Sequence, residues 1–270
     1  DLTDKDQIVN KDAVSMLVSL GIIEGKPDGS YGPTENVDRA QMAKMLSVIM
    51  NKGVDNSALY QSVNSGLTDI TSNWAKGHIN YCYTTGIIAG RGNGTFDPSA
   101  TVTALEAAKM LLVAVGYDPA IEGFEGADWA INVSVRADEQ GIFEGFTKDL
   151  SAPLNRDDAA LLIYNALDVE MIQSYTTNNY PIVYSDHRTI LSDKYGVIKV
   201  EGVVTANEWA ILDDDTDTAL QEGKTRIYNP DGILSTTGNT AVAQDSSANV
   251  KTQVFNVSTP VDMLGKRSAE

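Results

Sequence analysis

Between residues 10 and 170, apolar positions recur at the three- and four-residue spacing of amphipathic helices, and the pattern breaks three times in the same way. Each time a helical run ends at a glycine followed by two apolar residues, a turn follows, and a second helix opens. The turns read GIIEGKPDGSYGP from Gly21, GIIAGRGNGTFDP from Gly86 and GIFEGFTKDLSAP from Gly141. Gly86 suits the left-handed position that ends a helix. Asp28-Gly29 and Asn93-Gly94 are turn dipeptides. The second helices are predicted to start at Asp38, Thr103 and Asn155, all good N-caps. Ala40, Ala43, Leu46, Ile49 and Met50 form one core stripe, and Ala159, Leu162, Ile163, Ala166 and Leu167 form another. In the middle copy the first helix is predicted from near Trp74 to Thr84.

The register is regular but not perfect. From Gly21 to Val37 and from Gly86 to Val102 is 16 positions, whereas from Gly141 to Leu154 is 13. Trp74 and Trp129 each lie 12 positions before their glycine, and Val9 holds the matching place in the first copy. A helix–turn–helix unit recurring every 50–60 residues, roughly, is a repeat architecture whose copies must pack together to bury their apolar faces. Seams between copies are therefore natural places for a site.

Past residue 175 the periodicity changes. Tyr180–Tyr184, Tyr195–Val204, Glu208–Leu212, Thr225–Tyr228 and Thr252–Val257 are β-branched and aromatic runs separated by turn-rich segments. The expected class is thus α+β and multidomain: repeats over 1–54, 55–118 and 119–175, then a β-rich domain over 176–270. The chain stops soon after Lys266 without a tidy end and reads as a fragment of a longer protein, its β-rich domain truncated.

With 37 acidic against 20 basic residues, the formal charge is −17. That argues against sequence-independent nucleic-acid binding and against docking on an anionic bilayer. An anionic ligand would need a local cationic pocket. The single cysteine, Cys82, excludes an internal disulfide and reads as a small buried hydrophobe. No apolar run approaches the ~20 residues of a membrane span. Export is inferred from the cysteine-poor, acidic composition and from an abrupt start at Asp1 that suits a signal-cleaved end.

The three turns and their flanks resemble S-layer homology repeats, the cell-wall anchoring modules of bacterial surface proteins. The middle copy carries the likeness best, at Leu67-Thr68-Asp69-Ile70, Trp74, Gly86–Gly90 and Thr95–Pro98; the first carries it at Leu2-Thr3-Asp4, Gly21–Pro33 and Val37–Gln41. The third is the weakest, and the β-rich remainder is not covered. The resemblance implies a mainly helical, pseudo-threefold domain with a central helical bundle. It further implies grooves between neighbours that hold an anionic, pyruvylated secondary cell-wall polysaccharide. A ketal carboxylate needs a cation, for which the arginine fork is well shaped; helix-start N–H groups add favourable field, and an aromatic ring covers the sugar's C–H face.

Carried over by position, the family arginine falls on Arg39 and Arg156, its tryptophan on Trp74 and Trp129, its opening aspartate on Asp4 and Asp69, and its turn glycines on Gly25, Gly90 and Gly145. The departures are Ala104 for the arginine in the second copy, Val9 for the tryptophan in the first and Phe124 for the aspartate in the third. If a groove draws its arginine from one copy and its Asp and Trp from the next, Arg39, Asp69 and Trp74 make the complete set, and the seam using Ala104 is silent for the anion. Each residue has a plainer reading: a solvated arginine, a core tryptophan, an aspartate that only forms a turn.

Asp213, Asp215 and Asp217 alternate as calcium ligands do, but the loop glycine is missing and Glu222 is misplaced, so a solvated acidic turn is favoured and no cofactor is expected. His78 and His187 have no sequence neighbours to suggest catalysis, and no hydrolase or phosphate-loop motif occurs. The expectation is a secreted, non-enzymatic, carbohydrate-binding surface protein of the S-layer type, partnered by wall polysaccharide and able to self-assemble into a lattice. Its rivals are a wall-anchored enzyme whose catalytic domain lies beyond residue 270 and an adhesin scaffolded by the repeats.

Overall fold

In the computed structural model, residues 2–197, 201–212, 219–228, 252–265 and 267–269 are described. The chain divides into two compact units: residues 1–185 with 189–195, and residues 186–188 with 196–270. The first unit holds the helices α1 (Lys11–Ser19), α2 (Arg39–Met50), α3 (Lys76–Thr84), α4 (Ala104–Val115), α5 (Trp129–Glu139), α6 (Arg156–Leu167) and α7 (Ile190–Tyr195). It also holds a hairpin of β1 (Ile172–Tyr175) and β2 (Pro181–Val183), with Tyr175 opposite Pro181.

The expected N-caps are in place. Asp38, Asn155 and Thr103 accept from the backbone N–H of Gln41, Asp158 and Glu106, and Glu106 returns the bond to Thr103 N–H in a reciprocal capping box. Gly21, Gly86 and Gly141 all have positive φ, at 71°, 80° and 70°. There the chain turns back, so that Ile22, Ile88 and Ile142 donate into the last turn of the preceding helix, to Leu17, Cys82 and Ala137. One boundary differs from expectation. The middle copy's first helix starts at Lys76, because Asn73 Oδ1 caps Ala75 N–H and Trp74 sits in the turn before it.

Packing joins each second helix to the first helix of the following pair: α2 lies on α3, α4 on α5 and α6 on α1. The last contact closes a ring, reinforced where Asn10 donates from its backbone N and Nδ2 to the Asp157 carboxylate. Inside, α2, α4 and α6 carry Ala43, Ala108 and Ala160 at the same helical position, all at most 1% exposed. Leu46, Leu111 and Ile163 lie three residues further on and are also buried. Truncating one of these to alanine costs about 2–5 kcal/mol. Ahead of the same helices, three backbone bonds run in a cycle: Val37 N to Leu154 O (2.8 Å), Leu154 N to Val102 O (2.7 Å) and Val102 N to Val37 O (2.9 Å).

The second unit contains a four-stranded antiparallel sheet in the order β5 (Thr252–Phe255), β4 (Thr225–Tyr228), β3 (Glu201–Ala206), β6 (Arg267–Ala269). Ile227 and Val204 are fully buried in it. Two of the expected strands are corrected. The run from Tyr195 opens on the last residue of α7, and its end belongs to β3 from Glu201; residues 198–200 lie outside the described residues. Glu208–Leu212 is a turn, because the Asn207 side chain accepts from Trp209 N–H and Ala210 N–H and leaves only an Ala206–Ile211 bridge. Asp213, Asp215 and Asp217 lie outside the described residues.

Candidate functional site: two matching grooves

The two arginines carry the site, and each is tied to main-chain carbonyls of a neighbouring turn. Arg39, at the start of α2, is 4% exposed, and its side chain enters the Gly86 turn. Its Nε donates to Phe96 O and its Nη2 to Ala89 O, both at 2.8 Å, and its guanidinium lies 4.4 Å from the Phe96 ring centroid. Burial pulls this arginine down to about 10, with Arg91 adding to the effect. Arg156, at the start of α6, does the same to the Gly21 turn: Nε to Tyr31 O at 2.8 Å, Nη2 to Glu24 O at 3.2 Å, and the guanidinium 4.7 Å from the Tyr31 ring. The Tyr31 hydroxyl returns a 2.8 Å bond to Arg156 O. The arginine fork here satisfies main-chain carbonyls of a turn from another helix pair.

The two aspartates fix the same turns from the other side. Asp4 accepts from Tyr31 N–H and Gly32 N–H at 2.7 and 2.8 Å, and Asp69 from Phe96 N–H and Asp97 N–H at 2.9 and 2.7 Å. The Tyr31 and Gly32 donors hold the Asp4 carboxyl below its ordinary value. Burial raises Asp69, but its two backbone donors outweigh that and lower it. The helix-start N–H groups are committed as well. Arg39 N–H goes to Ala100 O, Ala40 N–H to Pro98 O, Arg156 N–H to Glu35 O and Asp157 N–H to Pro33 O.

Each clamped turn lines a groove. One, of about 580 Å³, is bordered by Arg39, Ala89, Gly90, Arg91, Glu106, Lys109, Met110 and Trp129, with Phe124–Gly126 at one side. The other, of about 480 Å³, is bordered by Arg156, Glu24, Gly25, Lys26, Gln41, Lys44, Met45 and Trp74. Position for position these are one design. Gly90 matches Gly25, Lys109 matches Lys44 five residues into its helix, Met110 matches Met45, and Trp129 matches Trp74. Lys109 Nζ lies 5.8 Å from the Trp129 ring centroid, and burial pulls it down against the opposing charge of Glu125. Trp74 is 58% exposed and so is not a core residue.

The expected trio of Arg39, Asp69 and Trp74 is therefore divided. Asp69 and Arg39 meet through the Phe96 backbone, but Trp74 lies in the groove of Arg156, and Trp129 in that of Arg39. The reason is the ring: a second helix supplies lysine to the groove floored by its own preceding turn, while the arginine comes from the preceding pair and the tryptophan from the following one. The third seam lacks the set. Ala104 is buried, Leu161 holds the lysine position beside Gly145, and Val9 stands for the tryptophan. Sequence reasoning missed Lys44, Lys109 and Arg91. The repeated spacing of a lysine five residues after Arg39 and after Ala104 was the available signal.

Among the described residues there is no cluster of His, Cys, Asp and Glu able to hold a metal ion, and no helix is long and apolar enough to cross a membrane.

The S-layer homology domain family matches residues 1–43 and 66–108, each running from an opening aspartate segment through a clamped turn into α2 or α4. The chain is 28% identical over 234 residues to a cell surface protein of Thermoanaerobacter kivui, which covers 86% of this chain and 28% of that protein. It is 33% identical to an S-layer protein of Bacillus licheniformis over 42% of this chain and 12% of that protein. It is also 30% identical to an amylopullulanase of Thermoanaerobacterium thermosulfurigenes over 58% of this chain and 9% of that one. The chain thus spans little more than a quarter, or less, of these relatives' lengths. The two matched segments and the surface-protein relatives indicate an extracellular, cell-wall-associated location.

Proposed function

We propose that residues 1–175 are three S-layer homology repeats in a pseudo-threefold ring, and that the ring anchors the protein to the cell wall by binding an anionic secondary cell-wall polysaccharide in two of its three seams. The cyclic bonds among Val37, Leu154 and Val102 and the closing α6–α1 contact support the ring. The recurrence of one lysine–tryptophan–glycine set in two grooves supports the ligand, and it is the observation that carries the proposal. In a chain of net charge −17, such cationic grooves concentrate an anion where the rest of the surface repels it.

The lysines meet the carboxylate of a pyruvyl ketal, the tryptophan covers a sugar face, and the glycine lets the sugar approach the turn's backbone. Arg39 and Arg156 act by holding each turn in shape. A relative named as an S-layer protein and one named as an amylopullulanase each match part of this chain, which suits an attachment role independent of catalysis. The whole chain is read as a non-enzymatic surface protein, with its second unit the start of the exposed or lattice-forming part. The test is co-sedimentation of the full chain with purified pyruvylated wall polysaccharide and with the same polymer after mild acid removal of the ketal. Retention by the first alone supports the proposal; equal retention by both, or by neither, refutes it.

A further inference from the structure

The tryptophan of the Arg156 groove rests on a histidine that its counterpart lacks. His78, one helical turn beyond Trp74, is 3% exposed, and its ring lies 6.4 Å from the Trp74 ring at 65°. Four residues past Trp129 the matching side chain is Val133, fully buried. His78 Nδ1 is 2.6 Å from Ser47 Oγ, and that oxygen is 3.0 Å from Lys44 O. Ser47 Oγ is bonded to Nδ1 in either tautomer of the neutral ring, and Nε2 faces Asp55, whose Oδ2 is 3.6 Å away. The imidazolium carries a proton on both nitrogens: Nδ1–H donates to Ser47 Oγ, the hydroxyl proton turns to Lys44 O, and Nε2–H makes the approach to Asp55 a charge-assisted pair.

The charged groups facing the ring are Asp55, from the segment after α2, which favours the imidazolium, and Lys44 on α2, which opposes it. Burial is the largest influence and, with Lys44, keeps the ring below the ordinary 6.5. His78 is therefore neutral at neutral pH, in contact with two residues that line the groove or bond to its lining. A ligand carboxylate on Lys44 offsets the charge that opposes protonation. Ligand binding thus favours the imidazolium, and by reciprocity the imidazolium favours the ligand.

We propose that His78 is a proton-linked positioning residue of the Arg156 groove, which makes that groove's affinity for an anionic glycan rise as pH falls while the Arg39 groove stays indifferent. This rests on the polysaccharide reading above. The test is calorimetric titration of the full chain with purified pyruvylated wall polysaccharide at about pH 7.5 and about pH 5, a range across which the ketal carboxylate stays ionised. Wild-type protein is expected to bind about fivefold more tightly at the lower pH. His78→Gln, which removes the titratable ring and leaves a neutral polar side chain, keeps the neutral-pH affinity and loses the difference. Trp74→Ala loses the difference while the Arg39 groove still binds.

A measurement free of variants accompanies these. Proton NMR follows the His78 ring, one of only two histidines in the chain, and its pKa must move upward when ligand saturates the protein. A pH difference that survives His78→Gln, or an imidazole whose titration ignores the ligand, overturns the proposal. Binding that is equally tight at both pH values overturns it and leaves the anchoring reading intact. No binding at either pH overturns both.

Discussion

Removing the Arg39 side chain separates a turn clamp from a ligand contact. Arg39→Ala deletes two 2.8 Å bonds to main-chain oxygens, one of them buried, and a guanidinium stacked 4.4 Å from Phe96. Hydrogen bonds to a charged group are worth about 1.5–3 kcal/mol each, and a partly desolvated cation–π contact about 1 kcal/mol. Against their sum stands the cost of keeping a cation buried, which the substitution relieves. A net destabilisation of about 3 kcal/mol results, and the orphaned Phe96 carbonyl sets its lower limit. For a unit of this size that lowers Tm by about 6–12 °C. Arg39→Lys recovers only part of it, because one ammonium lacks the planar fork that spans Ala89 O and Phe96 O. Arg156→Ala is milder: its side chain is only half-buried and its second bond is 3.2 Å. The assay is thermal unfolding followed by far-ultraviolet circular dichroism. An Arg39→Ala protein as stable as wild type, yet unable to bind polysaccharide, refutes the clamp and restores the arginine as a ligand residue.

Three further outcomes follow from the same geometry. A Cβ at Gly90 would lie 2.9 Å from Thr95 O, a backbone atom that cannot step aside, whereas at Gly25 it would meet the far end of Leu2 at 2.9 Å. Gly90→Ala should therefore cost about 2 kcal/mol and Gly25→Ala less than half of that by chemical denaturation. Asp4 and Asp69 have lowered carboxyl pKa values in the folded state, so they add stability above their ordinary value of 3.8 that is lost as pH falls through the folded values. Replacing both by asparagine should flatten the acid limb of Tm against pH below about pH 4 while lowering Tm at neutral pH. Cys82 is fully buried, with Sγ 3.4 Å from Ala43 O, and burial pushes its thiol well above the ordinary range. It should resist a disulfide-exchange reagent in the native protein and react once in denaturant.

How legible this molecule is from sequence depends on where each residue's partner lies. The glycine at each helix end and the caps Asp38, Thr103 and Asn155 are local, and the sequence located them all. The partners of Arg39 are 50 and 57 residues away, and those of Arg156 are 125 and 132 away. The resemblance to S-layer homology repeats singled out the arginines, but only the closed ring reveals which turn each enters and which tryptophan shares its groove. The ring also accounts for the committed helix-start amides, since they join one copy to the next. Lys44 and Lys109 went unnoticed because a lysine on the polar face of an amphipathic helix looks like solvated surface until its counterpart is seen beside another tryptophan. His78 was opaque for a similar reason: Ser47 and Asp55 precede it by 31 and 23 residues.

Whether the two grooves are the glycan sites is tested most directly by the equilibrium affinity of the Lys44→Ala/Lys109→Ala double variant for purified pyruvylated wall polysaccharide. Both side chains are on helix faces outside the core cluster, so the variant should unfold within about 2 °C of wild type. The affinity of each groove should fall by about tenfold, since each loses one charge-assisted contact worth about 1.5 kcal/mol. An affinity within a factor of two of wild type, in a protein of unchanged Tm, contradicts that assignment.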